Sequence, residues 1–425
     1  MRKLLMTATA VAGVMGLAVA AHAAPTGSGM QSGLGGDSVP FAATSSLPGP
    51  TGLPGQVQFY FRGRLHTDFM VGGDSLDNRG GTKSGNVYFG EYARLYSGFE
   101  GVAANGLKFG AMLEVRTNGG SAAPFGNANL YFRRELGYLQ GNWGTFRFGQ
   151  ADQVLGLFQT GGFENFDDGG WNGDLPVLFS GNAQLNWPTP EDGGAYGTSS
   201  ISYISPSFSG FDFGISYEPN DTGSGEAQCG PVSCNRNSTI ATGGQARRNA
   251  VQVVGRYQGD MGPAKITAEL GGWAAGHVHV TETPASNPSM VIGGLTVAVG
   301  GWAVGGTVIT GNTALAYGSL VPLAKGSKHE MSFIAGTSYA FGPFIVGASY
   351  LDMTSDGAHT GFTRHEVGIA AGGTYAWAPG TAAFVSFLYG HRHQVGYDFA
   401  SGKVGSLDSN NTSAMGMLIG NTFNW

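Results

Sequence analysis

Beginning at Gln56 the chain alternates between apolar and polar positions. In "QVQFYFRGRLHTDFMV", Val57, Phe59, Phe61, Leu65 and Phe69 fall on one face, and Gln58, Tyr60, Arg62, Arg64, His66 and Asp68 on the other. A period of two is the signature of a β-strand with two different surroundings. The pattern recurs in "GLKFGAMLEVR", where Leu107, Phe109, Ala111, Leu113 and Val115 oppose Lys108, Glu114 and Arg116. In "GTFRFGQ", Phe146 and Phe148 oppose Arg147. "FDFGISYEP", "GPFIVGASYLDM" and "TAAFVSFLYGHRH" continue it in weaker form.

The connections between these strands come in two lengths. Tight turns are predicted near "GVAANG" (101–106), "QGNWG" (140–144), "SPSFSG" (205–210), "QGDMG" (258–262), "AFGP" (340–343) and "WAPG" (377–380). Longer polar connections fall near 72–86, 118–127, 151–198, 220–246, 354–364 and 394–411. A sandwich gives no reason for short and long to alternate. An up-and-down antiparallel barrel crossing a bilayer does, because its turns are tight on one side and its loops long on the other. Residues 281–328 read either as two glycine-rich strands with a turn near Gly300 and Gly301, or as a plug or apolar loop. Two strands bring the count to about sixteen, an even number as such barrels require.

The last residues, "IGNTFNW", form another strand, with Met415, Met417, Ile419, Phe423 and Trp425 on one face. A barrel has no free edge, so this strand is expected to pair with the first. Phe423 and Trp425 are then placed at the membrane interface, which favours amphipathic rings.

Composition narrows the picture further. Glycine makes up 75 of 425 residues, against about 7% in an average chain. Each interior glycine costs a helix about 1 kcal/mol relative to alanine, so strands and turns are favoured. Charged residues are only 12%, half the usual share, which fits a surface facing something other than water. A formal charge of −6 argues against a nucleic-acid partner. Past the N-terminus, no uncharged apolar run approaches the ~20 residues of a membrane helix.

Residues 1–23 read as a secretory signal peptide: Arg2 and Lys3, then an apolar run, then Ala21-His22-Ala23 as the cleavage site. Residues 24–55 are rich in Gly, Ser and Pro and read as a flexible leader. Residues 56–425 are the expected barrel. In an exported protein Cys229 and Cys234 of "CGPVSC" are expected to form a local disulfide that staples a loop.

Enzymatic signatures are missing from the sequence. It contains neither a G-x-S-x-G elbow nor a G-x-x-x-x-G-K-[ST] loop. His277 with His279, and His391 with His393, are spaced to share a metal, yet each pair lacks a nearby third ligand and reads as rim or lining. "FDDGGWNGD" departs from the calcium-loop spacing. No metal or cofactor is expected.

Several segments resemble the general diffusion porins of Gram-negative outer membranes. "EYARLYSGFEG" is similar to that family's second strand and "YFRRELGYLQGNWGTFRFGQ" to its fourth and fifth. "SISYISPSFSGFDFGISYEP" resembles the sixth and seventh, and "IGNTFNW" the closing strand, which the outer-membrane assembly machinery reads. The resemblance runs, with gaps, from Gln56 to Trp425. It implies a sixteen-stranded homotrimer in the outer membrane that passes small hydrophilic solutes and ions passively. It also implies that the third outer loop, here 151–198, folds into the lumen and sets acidic residues against a basic wall. Carried over by position, Arg62, Arg94 and Arg133 stand where the family's wall arginines stand, and alternation adds Arg64 and Arg147 to the lumen face. Glu164 takes the place of the loop carboxylate, and Asp167, Asp168 and Asp174 lie in the same loop. The sixth strand, "SSISYISP", lacks the arginine that the family usually carries there. A sugar-selective channel, with Phe163, Trp171 and Trp187 as stacking surfaces, is the alternative. An outer-membrane enzyme barrel or a closed adhesin barrel stands further off.

Overall fold

Sixteen strands close into one antiparallel barrel, each paired with its chain neighbours. In chain order they are β1 (Val57–Asp74), β2 (Val87–Val102), β3 (Lys108–Asn118), β4 (Asn129–Gly141), β5 (Gly144–Ala151), β6 (Thr198–Ile204), β7 (Phe211–Asn220) and β8 (Arg247–Met261). There follow β9 (Ala264–His277), β10 (Ser289–Val299), β11 (Trp302–Gly311), β12 (Glu330–Phe341), β13 (Phe344–Ser355), β14 (Arg364–Ala378), β15 (Thr381–Gln394) and β16 (Asn411–Asn424). This computed structural model describes residues 54–425 except 78–82, 84, 119–128, 162, 164, 169, 172–173, 181, 186–197, 221–246, 278–286, 317–318, 323–328, 356–362 and 405–409. The expected signal peptide, most of the leader, Glu164, Trp187, Cys229, Cys234 and His279 lie outside the described residues.

The alternation read from the sequence is the division between the two faces of the wall. Along β1, Phe59, Phe61, Leu65 and Phe69 are exposed, while Arg64, His66, Asp68 and Met70 are buried. The same holds around the barrel, where outward Phe146, Phe213, Leu270, Val304, Phe333 and Met417 are exposed. An apolar band this large would aggregate in water; it is the lipid-facing belt of a membrane barrel. Its lower rim is aromatic. Trp302, Tyr339, Phe341, Phe344 and Tyr375 follow one another at ring-centroid distances of 4.6–5.6 Å, as amphipathic rings do at an interface.

The stretch 281–328 supplies β10 and β11, joined at Gly300-Gly301. The two-strand alternative therefore holds, and Thr313–Ala316 pairs Ser319–Pro322 in a small hairpin outside the barrel sheet. Gly300 and Gly342 adopt φ of +59° and +56°, the left-handed conformation that two-residue hairpins require. Closure is direct: β1 pairs β16 from Arg64↔Asn424 to Asp74↔Ala414. Trp425 exchanges backbone hydrogen bonds with Gly63 in both directions, each 3.1 Å, and its ring covers the outward face of that glycine.

Candidate functional site

The fifth strand ends early. β5 has eight residues, so the chain leaves the wall partway up and the next connection, 152–197, starts inside the barrel. Its first element is α1 (Val154–Phe158), five residues with no side-chain cap of its own. So short a helix is not stable by propensity; the wall holds it. The amides of Val154 and Leu155, which a helix N-terminus leaves without intrahelical acceptors, donate to Ser216 Oγ on β7 and Gln252 Oε1 on β8, both at 3.0 Å. Val154, Leu155, Leu157 and Phe158 are buried with Val254, Trp273, Ile292 and Ile309, inward residues of β8 to β11.

Beyond α1 the loop follows the inner wall round the barrel. Thr307 Oγ1 on β11 donates to the Thr160 carbonyl at 2.8 Å, and Thr374 Oγ1 on β14 donates to the Phe166 carbonyl at 2.9 Å. Trp171 Nε1 donates to Ser349 Oγ on β13 at 2.9 Å. A short 3-10 turn, Leu175–Leu178, packs on β16 and β1, and the Ser180 amide donates to Asp74 Oδ2 at 2.7 Å. The loop thus touches the wall from β7 through β16 to β1.

At β1 the loop is pinned by charge. Asp168 pairs with Arg64, and Asp174 Oδ2 lies 3.1 Å from His66 Nε2, which also meets Asp68 Oδ2 at 2.9 Å. For Asp174, burial alone would raise the carboxyl. The hydrogen bond and charge of His66, with Asp68 and Arg94, outweigh it and hold the carboxyl below its ordinary range. Among the described residues, His66, Asp68 and Asp174 form the one group with metal-ligating types close enough to share an ion. Arg64 Nη2, however, lies 3.2 Å from His66 Nδ1. A guanidinium only donates, so a cation is already seated against one side of the imidazole while its Nε2 faces the two carboxylates. This is an ion-pair latch; its chemistry does not fit a metal centre.

Beside this latch, β2 to β5 carry the basic wall, Arg94 pairing Arg64 in register. Arg94, Arg116, Arg133, Arg134 and Arg147 all face inward. Glu114 on β3 lies among them, accepting from Arg116, from Arg134 at 2.5 Å and from Arg133 at 3.4 Å. Arg134 also donates to Asp152 at 2.6 Å, and the Arg94 guanidinium stacks 4.5 Å above the Tyr92 ring. Arg62, half-buried, lies over Tyr60 below them.

The expected lining residues divide into two groups. Arg62, Arg94, Arg133 and Arg147 come together on the wall with Arg134 and Arg116. Arg64, Asp168 and Asp174 form the latch, and Asp167 is buried between the loop and Gly372 of β14. Asp168 and Asp174 both meet β1 while Asp167 meets β14, so the three do not converge as a calcium loop would. Phe163 and Trp171 are buried against the wall at 3% and 4% exposure, which removes them as stacking surfaces for a sugar. The outward His391 and His393 lie on the outer rim beside His365; His393 bonds Asn411 at 2.7 Å.

Arg134 could not be found by alternation, because consecutive residues on a strand face opposite sides. A bulge breaks that rule. Glu114 pairs Arg134 and Val115 pairs Phe132, leaving Arg133 as the extra residue, so both arginines face the lumen. Arg364 and Arg392, on β14 and β15, belong to a second polar group higher in the barrel, where Arg392 grips Glu366 at 2.9 Å.

A closed sixteen-stranded barrel, an apolar outer belt and an inward loop facing a charged wall describe a water-filled channel through a membrane. The family profile of the Gram-negative porin matches residues 7–394. The chain belongs to the Gram-negative porins. It is an outer-membrane channel protein. Solved porins share the fold at low identity. The anion-selective porin from Comamonas acidovorans matches at 15% identity with a TM-score of 0.55, covering 87% of this chain and 100% of that one. The outer membrane channel DcaP of Acinetobacter baumannii matches at 12% and 0.54, covering 90% and 100%. The trimer form of OmpT, an outer membrane protein of Vibrio cholerae, matches at 14% and 0.54, covering 87% and 99%. At such identities the likeness is one of fold. Among curated proteins, none matches this chain.

Proposed function

We propose that this porin passes small hydrophilic solutes by passive diffusion, prefers anions, and carries out no reaction of its own. One observation carries the ion preference: the charge balance of the wall that the described loop residues leave uncovered. On β2 to β5 the inward charges are five arginines and Lys108 against Glu100 and Glu114. Of the described loop acids, Asp168 and Asp174 are held in the β1 latch and Asp152 pairs with Arg134, which leaves the positive charges of this wall in excess. Fixed guanidinium groups in a narrow, low-dielectric passage raise the local concentration of anions. The missing arginine on β6 is offset by Arg134, which the bulge adds to the same wall.

The expected assembly is a homotrimer embedded in lipid and inserted by the outer-membrane assembly machinery, with residues 1–23 removed on export. A trimer form is named for one outer membrane protein of the same fold. The test of selectivity is the reversal potential of purified channels in a planar bilayer under a salt gradient. Arg94→Ala, Arg133→Ala and Arg134→Ala are each expected to shift it towards cations. A wild-type channel that reverses at the cation side, or three variants identical to wild type, removes the basic wall from selectivity.

A further inference from the structure

The inner face of β7 to β16 carries glycines where the loop lies. Gly214 on β7 faces α1: a Cβ built there would come 2.7 Å from Val154 Cγ1. A Cβ on Gly271 of β9 would come 2.5 Å from Leu155 Cδ2. On β13 the Gly347 position is filled by the ring of Phe166 and, on β14, Gly368 by Trp171. At Gly390 of β15 the nearest atoms all belong to Leu185, the first at 2.6 Å, and at Gly416 of β16 Leu175 Cδ1 lies at 3.0 Å. Real Cβ atoms do not approach other heavy atoms this closely, so each of these loop side chains occupies the volume that a wall side chain would take.

Some outward glycines of the same barrel face open space. A Cβ on Gly255 of β8 meets nothing within 4 Å, and on Gly293 of β10 its nearest neighbour is 3.8 Å away. Outward Gly63 and Gly137 are filled too, but by Trp425 and Phe148 of the wall itself; what distinguishes these inner-face glycines is that the loop fills them. At one crossing even the loop residue is glycine. Gly161, at φ +82°, lies with its α-carbon hydrogens against the Gly306 carbonyl of β11.

We propose that these inward glycines are the residues that set the bore of the porin. They form a track that seats the apolar side of the loop flush against the wall, so the loop takes little of the lumen. A side chain in the track lifts the loop towards the basic wall of β2 to β5 and narrows the passage between them. They are positioning residues: they act on the solute through the loop. This inference rests on the pore reading but is independent of ion preference, since the track contains no charge.

The experiment compares single-channel conductance, and uptake of sugars of increasing size into liposomes, for wild type and four variants. Gly390→Leu and Gly214→Leu are expected to lower conductance about twofold or more and to lower the size cut-off, because a pore's conductance follows its free cross-section. Their reversal potentials should stay at the wild-type value, since every wall arginine remains. Gly255→Leu, on the outer face, should conduct as wild type. The double variant Gly390→Leu with Leu185→Gly exchanges the volumes across the contact and is expected to restore conductance. Unchanged conductance in folded Gly390→Leu, or a double variant no better than the single, overturns the proposal. Where Gly390→Leu yields no folded barrel, Gly390→Ala makes the same clash through its Cβ alone and is read in the same way.

Discussion

At the scale of single residues, the informative side chains are those whose partner is distant in sequence. His66 joins Asp68, two positions along its own strand, to Asp174, more than a hundred residues away. Because the Asp174 carboxyl is held below its ordinary value of 3.8, its contribution is fully present above that value. It is lost as pH falls through the depressed one. The latch should therefore hold from neutral pH down to about 4 and loosen below it. Single-channel recordings are expected to show steady current above pH 4 and growing fluctuation beneath, with Asp174→Asn fluctuating at all pH values. Current that is equally steady at pH 3 and pH 7 would mean that the latch does not restrain the loop. Alternation alone placed Arg62, Arg64, Arg94 and Arg147 on the inner face. It missed Arg134, because a bulge cannot be read from a period of two.

At the scale of elements, α1 shows how a helix too short to stand alone is held. Two of its orphan amides are capped by Ser216 and Gln252, which belong to the wall and not to the helix. Removal of a capping side chain costs roughly 0.5–2 kcal/mol. Ser216→Ala with Gln252→Ala is expected to leave the barrel intact and free the start of the loop. Limited proteolysis of purified channels should then cut near 152–160 several-fold faster than in wild type, while heat-modifiable migration is unchanged. Equal cutting rates would show that apolar burial alone holds α1. Nothing in "ADQVLGLF" signals this helix: it has no cap and one glycine, and its neighbours on β7 to β11 are known only from the fold. The strands were legible because each carries its own two-sided pattern. The exception was β10–β11, whose inward and outward positions are nearly all small or apolar; their pairing was settled by closure of the sheet, which leaves no strand edge unpaired.

At the scale of the whole molecule, the charges are arranged across the lumen. Of the described loop acids, Asp168 and Asp174 are spent on β1 and Asp152 on Arg134, and the wall of β2 to β5 keeps an excess of positive charge. Screening gives this arrangement a test. The Debye length falls from about 10 Å at 0.1 M salt to about 3 Å at 1 M, so the anion preference should weaken markedly over that range. The conductance ratio between wild type and Gly390→Leu should hardly change, because steric narrowing is not screened. A selectivity independent of salt would point to contacts between ions and individual side chains in place of a field from the wall.

Periodicity, turn chemistry and composition by themselves determined the class of fold, most of the strands, the sidedness of the loops and the inward facing of Arg62, Arg64, Arg94 and Arg147. Each of these depends on neighbours in the chain: a strand shows both its faces within ten residues, and a tight turn needs its glycine on the spot. Tertiary structure decided where the loop goes and what its acids do. A track made of single glycines on separate strands exists only once the barrel has closed and brought those strands side by side. The pairing of Asp168 with Arg64, and of Asp174 with His66, follows from that path. In the sequence the same glycines are indistinguishable from those that face the lipid, because what separates them is the atom a Cβ would meet.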